Sequence, residues 1–121
     1  MADKPHKTLD AWKNSIDLTV IIYQLTDRLP ENEKFGLIVQ MRRAAVSIAS
    51  NIAEGAARQT KKEFIHFLHV AQASLSELDT QVVICKELGY FSEADVALID
   101  EKIEKESKLI SGLIKFLQKR D

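Results

Sequence analysis

From Phe64 to Cys85, apolar residues return at alternating steps of four and three: Phe64, Leu68, Ala71, Leu75, Leu78, Val82 and Cys85. A strand needs steps of two, so only a helix gathers these side chains on one face. A one-sided apolar stripe must be buried against other elements. Just ahead of it, Thr60 and Glu63 match a capping box, in which side chains satisfy free backbone N–H groups of the first turn. Gly89 follows as a C-terminal cap. The spacing predicts a helix over residues 61–88.

Three further segments share the period. Leu9, Trp12, Ile16, Val20 and Tyr23 form the expected core stripe of a helix over 9–29, which Pro30 stops. Ile38, Met41, Ala45, Ile48 and Ile52 define a second helix over 32–56, ended by Gly55 and the polar residues after it. Ser92 with Asp95 can start a last helix over 93–119. Its stripe is Val96, Ile99, Ile103, Ile110, Ile114 and Leu117, interrupted at Glu106 and Ser107. Residues 1–8 are expected to fray. The 121 residues, 45% of them apolar, suffice for one domain with a core. The 3.5-residue rhythm and short connections predict an all-α fold over 9–121: an antiparallel up-down-up-down left-handed four-helix bundle.

The formal net charge is -1, so the composition does not single out nucleic acid or a membrane as partner. The first residues lack an apolar signal core. The longest clean apolar run, residues 20–23, falls far short of the roughly 18–20 residues of a membrane span. The expected location is the cytoplasm, with no membrane partner.

Enzyme signals are sparse. Cys85 is the lone cysteine, so one chain has neither a disulfide nor a two-cysteine metal site. Di-metal bundles use Glu-x-x-His on two helices. Glu63 and His66 give that spacing once and face away from the Phe64 stripe. His66 and His69 share an outer face without an evident third ligand. Gly36, Gly55, Gly89 and Gly112 are isolated, so no loop cradles phosphate. Ser47, Ser50 and Asn51 have no nearby histidine to activate a nucleophile. The expectation is a chain that is not an enzyme, with no cofactor and no metal.

The first helix has a second apolar stripe, and that points to self-assembly. Ala11, Leu18, Ile22, Leu25 and Leu29 lie away from Trp12, Ile16 and Tyr23. The last helix adds Leu98, Leu109 and Phe116 off its core stripe. Antiparallel neighbours can merge such stripes into an exposed patch, and large patches mark interfaces. The plainer alternative is a wide core-facing arc with scattered surface leucines. The second helix carries Gln40, Arg43, Ser47, Asn51, Glu54 and Arg58 along its far face. These either hydrogen-bond between subunits or form i,i+4 pairs in solvent.

Residues 35–78 read FGLIVQMRRAAVSIASNIAEGAARQTKKEFIHFLHVAQASLSEL. Phe35-Gly36-Leu37, Gln40, Arg42-Arg43-Ala44-Ala45, Ser47-Ile48, Asn51-Ile52-Ala53-Glu54-Gly55, Arg58 and Phe64 carry a specific pattern. Phe67-Leu68, Ala71, Ser74, Glu77-Leu78, Gln81, Trp12 and Leu29-Pro30 extend it. The chain resembles the 23S rRNA intervening-sequence proteins of bacteria, a four-helix bundle family related to the accessory proteins of diversity-generating retroelements. The resemblance implies a left-handed bundle assembled into a ring-shaped homo-oligomer, a pentamer. It also implies, through those accessory proteins, basic surfaces that engage RNA or DNA and a nucleic-acid enzyme. This chain departs from those relatives in being slightly acidic.

Charge is nevertheless sorted by bundle end. The start of the first helix, the turn near residue 58 and the end of the last helix hold nine basic against five acidic residues. The opposite end holds eight acidic against four basic. Arg58, Lys61, Lys62, Lys115, Lys119 and Arg120 are the candidate phosphate contacts, with Arg42 and Arg43 as second choices. Ordinary solubilising charge is the alternative.

Overall fold

The computed structural model describes residues 4–119. Four helices follow in order: α1 Asp10–Thr26, α2 Leu37–Ala56, α3 Lys61–Glu87 and α4 Glu93–Lys119. Each packs on its neighbours in sequence, and α1 packs on α4, so the helices form an up-down four-helix bundle.

Local chemistry sets the ends. Thr60 Oγ1 accepts the Glu63 N–H at 3.1 Å and starts α3. At α4, Ser92 Oγ accepts the Asp95 N–H at 3.1 Å, while Asp95 Oδ2 accepts the Ser92 N–H at 3.0 Å. That exchange is a complete capping box. After α3, Gly89 takes φ +79°, and the Tyr90 N–H reaches back to the Cys85 carbonyl at 2.8 Å. This left-handed turn favours glycine and satisfies a free end carbonyl.

Two expected starts differ. Pro5–Thr8 forms a 3-10 turn, and the His6 ring meets the Trp12 ring at 5.0 Å. The segment 1–8 expected to fray thus contains a regular turn at Pro5–Thr8, while residues 1–3 lie outside the described residues. Residues 32–36 do not open α2; a 3-10 turn at Glu31–Glu33 precedes Gly36, whose φ and ψ of -110° leave the helical region.

The stripes expected to form the cores of α2, α3 and α4 largely do so. Met41, Ile48, Leu68, Leu78, Ile99 and Ile110 are fully buried. Ile38, Phe64 and Val96 are only partly covered. In α1 the expectation is reversed. Leu18 and Ile22 are completely buried, and Ala11, Leu25 and Leu29 join them in the core. Ile16, Val20 and Tyr23, read as core, lie exposed on the outer side.

Side-chain polarity accounts for the reversal. The inner face of α1 also holds Asn14, Ser15 and Thr26, and each finds a partner inside the protein. Ser15 donates to the Trp12 carbonyl at 2.6 Å, Thr26 to the Ile22 carbonyl at 2.6 Å, and Asn14 bonds across to α4. Buried polar groups satisfied in this way do not prevent a face from turning inward. The outer stripe carries Trp12 and Tyr23, whose polar tips suit a boundary with water.

Candidate functional site

The outer stripe of α1 does not run into solvent alone. Beside it, α2 presents Val39, Arg43, Val46, Ser50 and Ala53 at helical spacing. The two helices frame a continuous shallow groove. One section, about 530 Å³, is lined by Tyr23, Val39, Arg42, Arg43, Val46 and Ser47. The next, about 280 Å³, is lined by Trp12, Ile16, Thr19, Val46, Ala49 and Ala53 among others. Val46 belongs to both sections. Small side chains let the groove form: Thr19 Oγ1 donates to the Ala45 carbonyl at 3.3 Å, so the helix backbones run close here.

The groove is apolar where a solvated surface should not be. Of its lining, Ile16 is 37% exposed, Tyr23 42% and Val46 42%, and Val20, on the same outer stripe of α1, is 49% exposed. A contiguous patch of this kind is commonly a contact surface.

Arg42 rigidifies the groove. Its Nη2 donates to Asp27 Oδ1 at 2.8 Å and to the Tyr23 carbonyl at 3.2 Å, and its Nε donates to Thr26 Oγ1 at 3.0 Å. The guanidinium carbon lies 4.5 Å from the Tyr23 ring centroid. A cation placed on the last carbonyls of α1 satisfies orphan acceptors and complements the helix dipole. Arg42 is thus a strap between α1 and α2 and is poorly placed to meet phosphate. Arg43 points outward at the groove's edge.

Several interface candidates sit elsewhere than expected. Leu18, Ile22, Leu25 and Leu29 are core residues of their own bundle, because the α1 stripes are exchanged. Leu109 is partly buried against the core, while Leu98 and Phe116 stay about half exposed. The apolar face of α1 therefore merges with α2, not with α4. On α2, Ser47 bonds Ser74 of α3 at 2.8 Å, and Asn51 donates back to the Ser47 carbonyl at 2.8 Å. Glu54 pairs with Arg58 one turn on. These three side chains have partners within the chain. Gln40 remains exposed.

The charged ends are where antiparallel packing puts them. Arg28 at the end of α1 bonds Asp95 at the start of α4 at 2.8 Å, and this hydrogen bond holds the Asp95 carboxyl below its usual range. At the opposite end Lys61, Lys62, Lys115 and Lys119 are exposed and make no ion pair among the described residues. Arg58 is engaged by Glu54 and by the Phe67 ring at 4.9 Å. Arg120 lies outside the described residues.

No group of three His, Cys, Asp or Glu among the described residues is arranged to hold a metal ion. His66 stacks edge-on against Phe67, and His69 bonds Gln72. The Cys85 thiol is buried 3.5 Å from Met41 Sδ, and burial pushes its pKa up to about 11. Such a thiol is held protonated and is a poor nucleophile. No helix among the described residues is long and apolar enough to cross a membrane.

Residues 7–112 match the family model described as 23S rRNA-intervening sequence protein. The chain belongs to this family. It is similar to a solved structure, a protein of unknown function from the S23 ribosomal protein family of Bacteroides thetaiotaomicron. That match has a TM-score of 0.80 at 24% identity and covers 87% of this chain and 98% of the other. A comparison with curated proteins finds no match. The family member and its structural relative share the bundle; the groove and the lysine-rich end are read from this chain's own residues.

Two features escaped the sequence reading. The α2 side of the groove, Val39, Val46 and Ala53, is masked by the stronger stripe of Met41, Ala45 and Ile48 on the core face of the same helix. The seven-residue spacing of Val39, Val46 and Ala53 was the available signal. The second is the pairing of Asn14 with Glu106, whose two positions each broke an otherwise apolar stripe.

Proposed function

We propose that this family member is a non-catalytic homo-oligomeric module whose copies associate through the α1–α2 groove. The observation that supports it is the half-exposed apolar set Ile16, Val20, Tyr23 and Val46 on one rigid face. The Arg42 strap holds that face in place before any partner arrives, which lowers the ordering cost of association. A closed ring, five copies by the family resemblance, hides the same face on every subunit. Sedimentation velocity at micromolar concentration tests the reading. A discrete oligomer is the expected result, and a monomer across that range overturns it.

A second activity, binding of RNA or DNA through the lysine-rich end, is favoured by the exposed Lys61, Lys62, Lys115 and Lys119, which make no ion pair among the described residues. In a ring with parallel subunits these lysines recur around one face. If all four meet phosphates on duplex DNA, the logarithm of affinity falls with log salt at a slope of about -3.6 per subunit engaged. Replacing Lys61 and Lys62 with Gln should lower that slope by about two. Absence of binding at low salt leaves the other form of the proposal, a scaffold for a protein partner without a nucleic-acid role.

A further inference from the structure

Glu106 lies midway along α4 and is 0% exposed, the one carboxylate among the described residues that is buried in the core. Its protein partner is Asn14 of α1, itself 3% exposed. Asn14 Nδ2 donates one hydrogen to Glu106 Oε1 at 2.9 Å and the other to the Lys102 carbonyl at 3.1 Å. Both amide hydrogens are then used. Asn14 Oδ1 and Glu106 Oε2 are left buried with no partner.

An ionised Glu106 cannot repair this, because both orphan atoms are then acceptors. Turning the Asn14 amide over is worse, since Oδ1 would face the carboxyl oxygen and the Lys102 carbonyl. A single proton on Oε2 changes the count. It converts Glu106 into a donor of the kind that Asn14 Oδ1 lacks, and with the observed Nδ2–Oε1 bond this would make an acid–amide ring of two antiparallel hydrogen bonds.

We propose that Glu106 is carried as the neutral acid in the folded protein and latches α1 to α4 through a cyclic pair with Asn14, so that losing one proton loosens this seam.

The surroundings agree. From α1, Asp10, Lys13 and Asp17 line a cleft above Asn14, joined by Lys105 of α4. Lys102 of α4 is engaged by Asp17 at 3.7 Å, and Lys105 is the cation whose field favours ionised Glu106. No charged residue of α2 or α3 is buried; of their polar side chains only Ser74 and Gln81, both on α3, are buried. Burial is the dominant influence and pushes the Glu106 pKa up to about 7, with the Asn14 bond and Lys105 acting the other way. The sign follows from linkage. The folded state keeps the proton to higher pH than the unfolded chain, so the latch contributes fully below about pH 4.5 and is lost as pH rises through about 7. Across that window the folding constant should fall about tenfold per pH unit, roughly 300-fold in total.

Glu106→Gln tests this directly. Its amide supplies the missing donor at every pH, so the pair persists without a titrating proton. Urea unfolding of the full chain between pH 5 and 9 should show about an 80-fold loss in the wild type, the part of that window above pH 5, and its absence in E106Q. Equal pH dependence in both proteins overturns the proposal. If E106Q fails to fold, the carboxyl carbon resonance of Glu106 in the wild type decides. Titration near neutral pH supports the latch, and a carboxylate already ionised at pH 5.5 refutes it.

Discussion

Val20→Asp is the sharpest probe of assembly. Val20 is 49% exposed, so about half its surface is available to a partner. Full burial of a valine contributes roughly 1.5–3 kcal/mol, so the lost contact costs about 1 kcal/mol. The larger effect is a carboxylate sealed against the apolar face of a second copy, which costs about 3–5 kcal/mol where it is left unpaired. The sum, about 4–6 kcal/mol, weakens each contact roughly 10³- to 10⁴-fold. In the isolated chain the same change is mild. Position 20 faces outward there, and repulsion from Asp17 three residues earlier amounts to a few tenths, about 0.2–0.5 kcal/mol. Sedimentation velocity over a hundredfold concentration range, with circular dichroism as the check on folding, measures both. The expected outcome is a folded monomer where the wild type is assembled. Leu88→Asp, at a 54% exposed position where α3 ends, should remain assembled. A Val20→Asp protein that sediments like the wild type removes the groove from the interface.

The remaining expectations concern the bundle itself. A Cβ at Gly55 would sit 2.9 Å from Phe67 Cβ and 3.2 Å from the Phe64 carbonyl oxygen, so Gly55→Ala should destabilise by about 1–3 kcal/mol despite its better helix propensity. Gly112→Ala meets nothing within 4 Å and should stabilise by about 0.5–1 kcal/mol; denaturant midpoints of the two variants must move in opposite directions. Cys85 should resist alkylation at pH 8 in the native protein and react once in urea, as mass spectrometry can read.

The fold was legible because three of the four helices carry one dominant apolar stripe that turns inward, with caps that need only short-range chemistry. Thr60, Ser92 with Asp95, and Gly89 act within four residues of themselves, and the structure shows each in that role. The candidate site was legible in kind but not in place. The excess of apolar residues on α1 is visible in the sequence, yet period alone cannot tell which of two apolar stripes turns inward. That choice depends on which face's polar members find partners across the bundle, and periodicity within one helix carries no such information.

Between helices, however, a trace of it exists. Asn14 interrupts the stripe from Ala11 to Leu18, and Glu106 interrupts that from Ile103 to Ile110. Considered separately, each is a defect that argues against burial. In an antiparallel pair the two lie at the same height, as the 2.9 Å bond between them and the Arg28–Asp95 bridge further along confirm. An isolated polar residue in a core costs free energy, whereas two that meet can offset each other's desolvation. Matching the heights of such interruptions would have turned the leucine stripe of α1 inward, and fixed its register on α4, without any coordinates. The same pairing leaves Trp12, Ile16, Val20 and Tyr23 outside, so the buried proton site and the exposed groove follow from one decision about which way α1 faces.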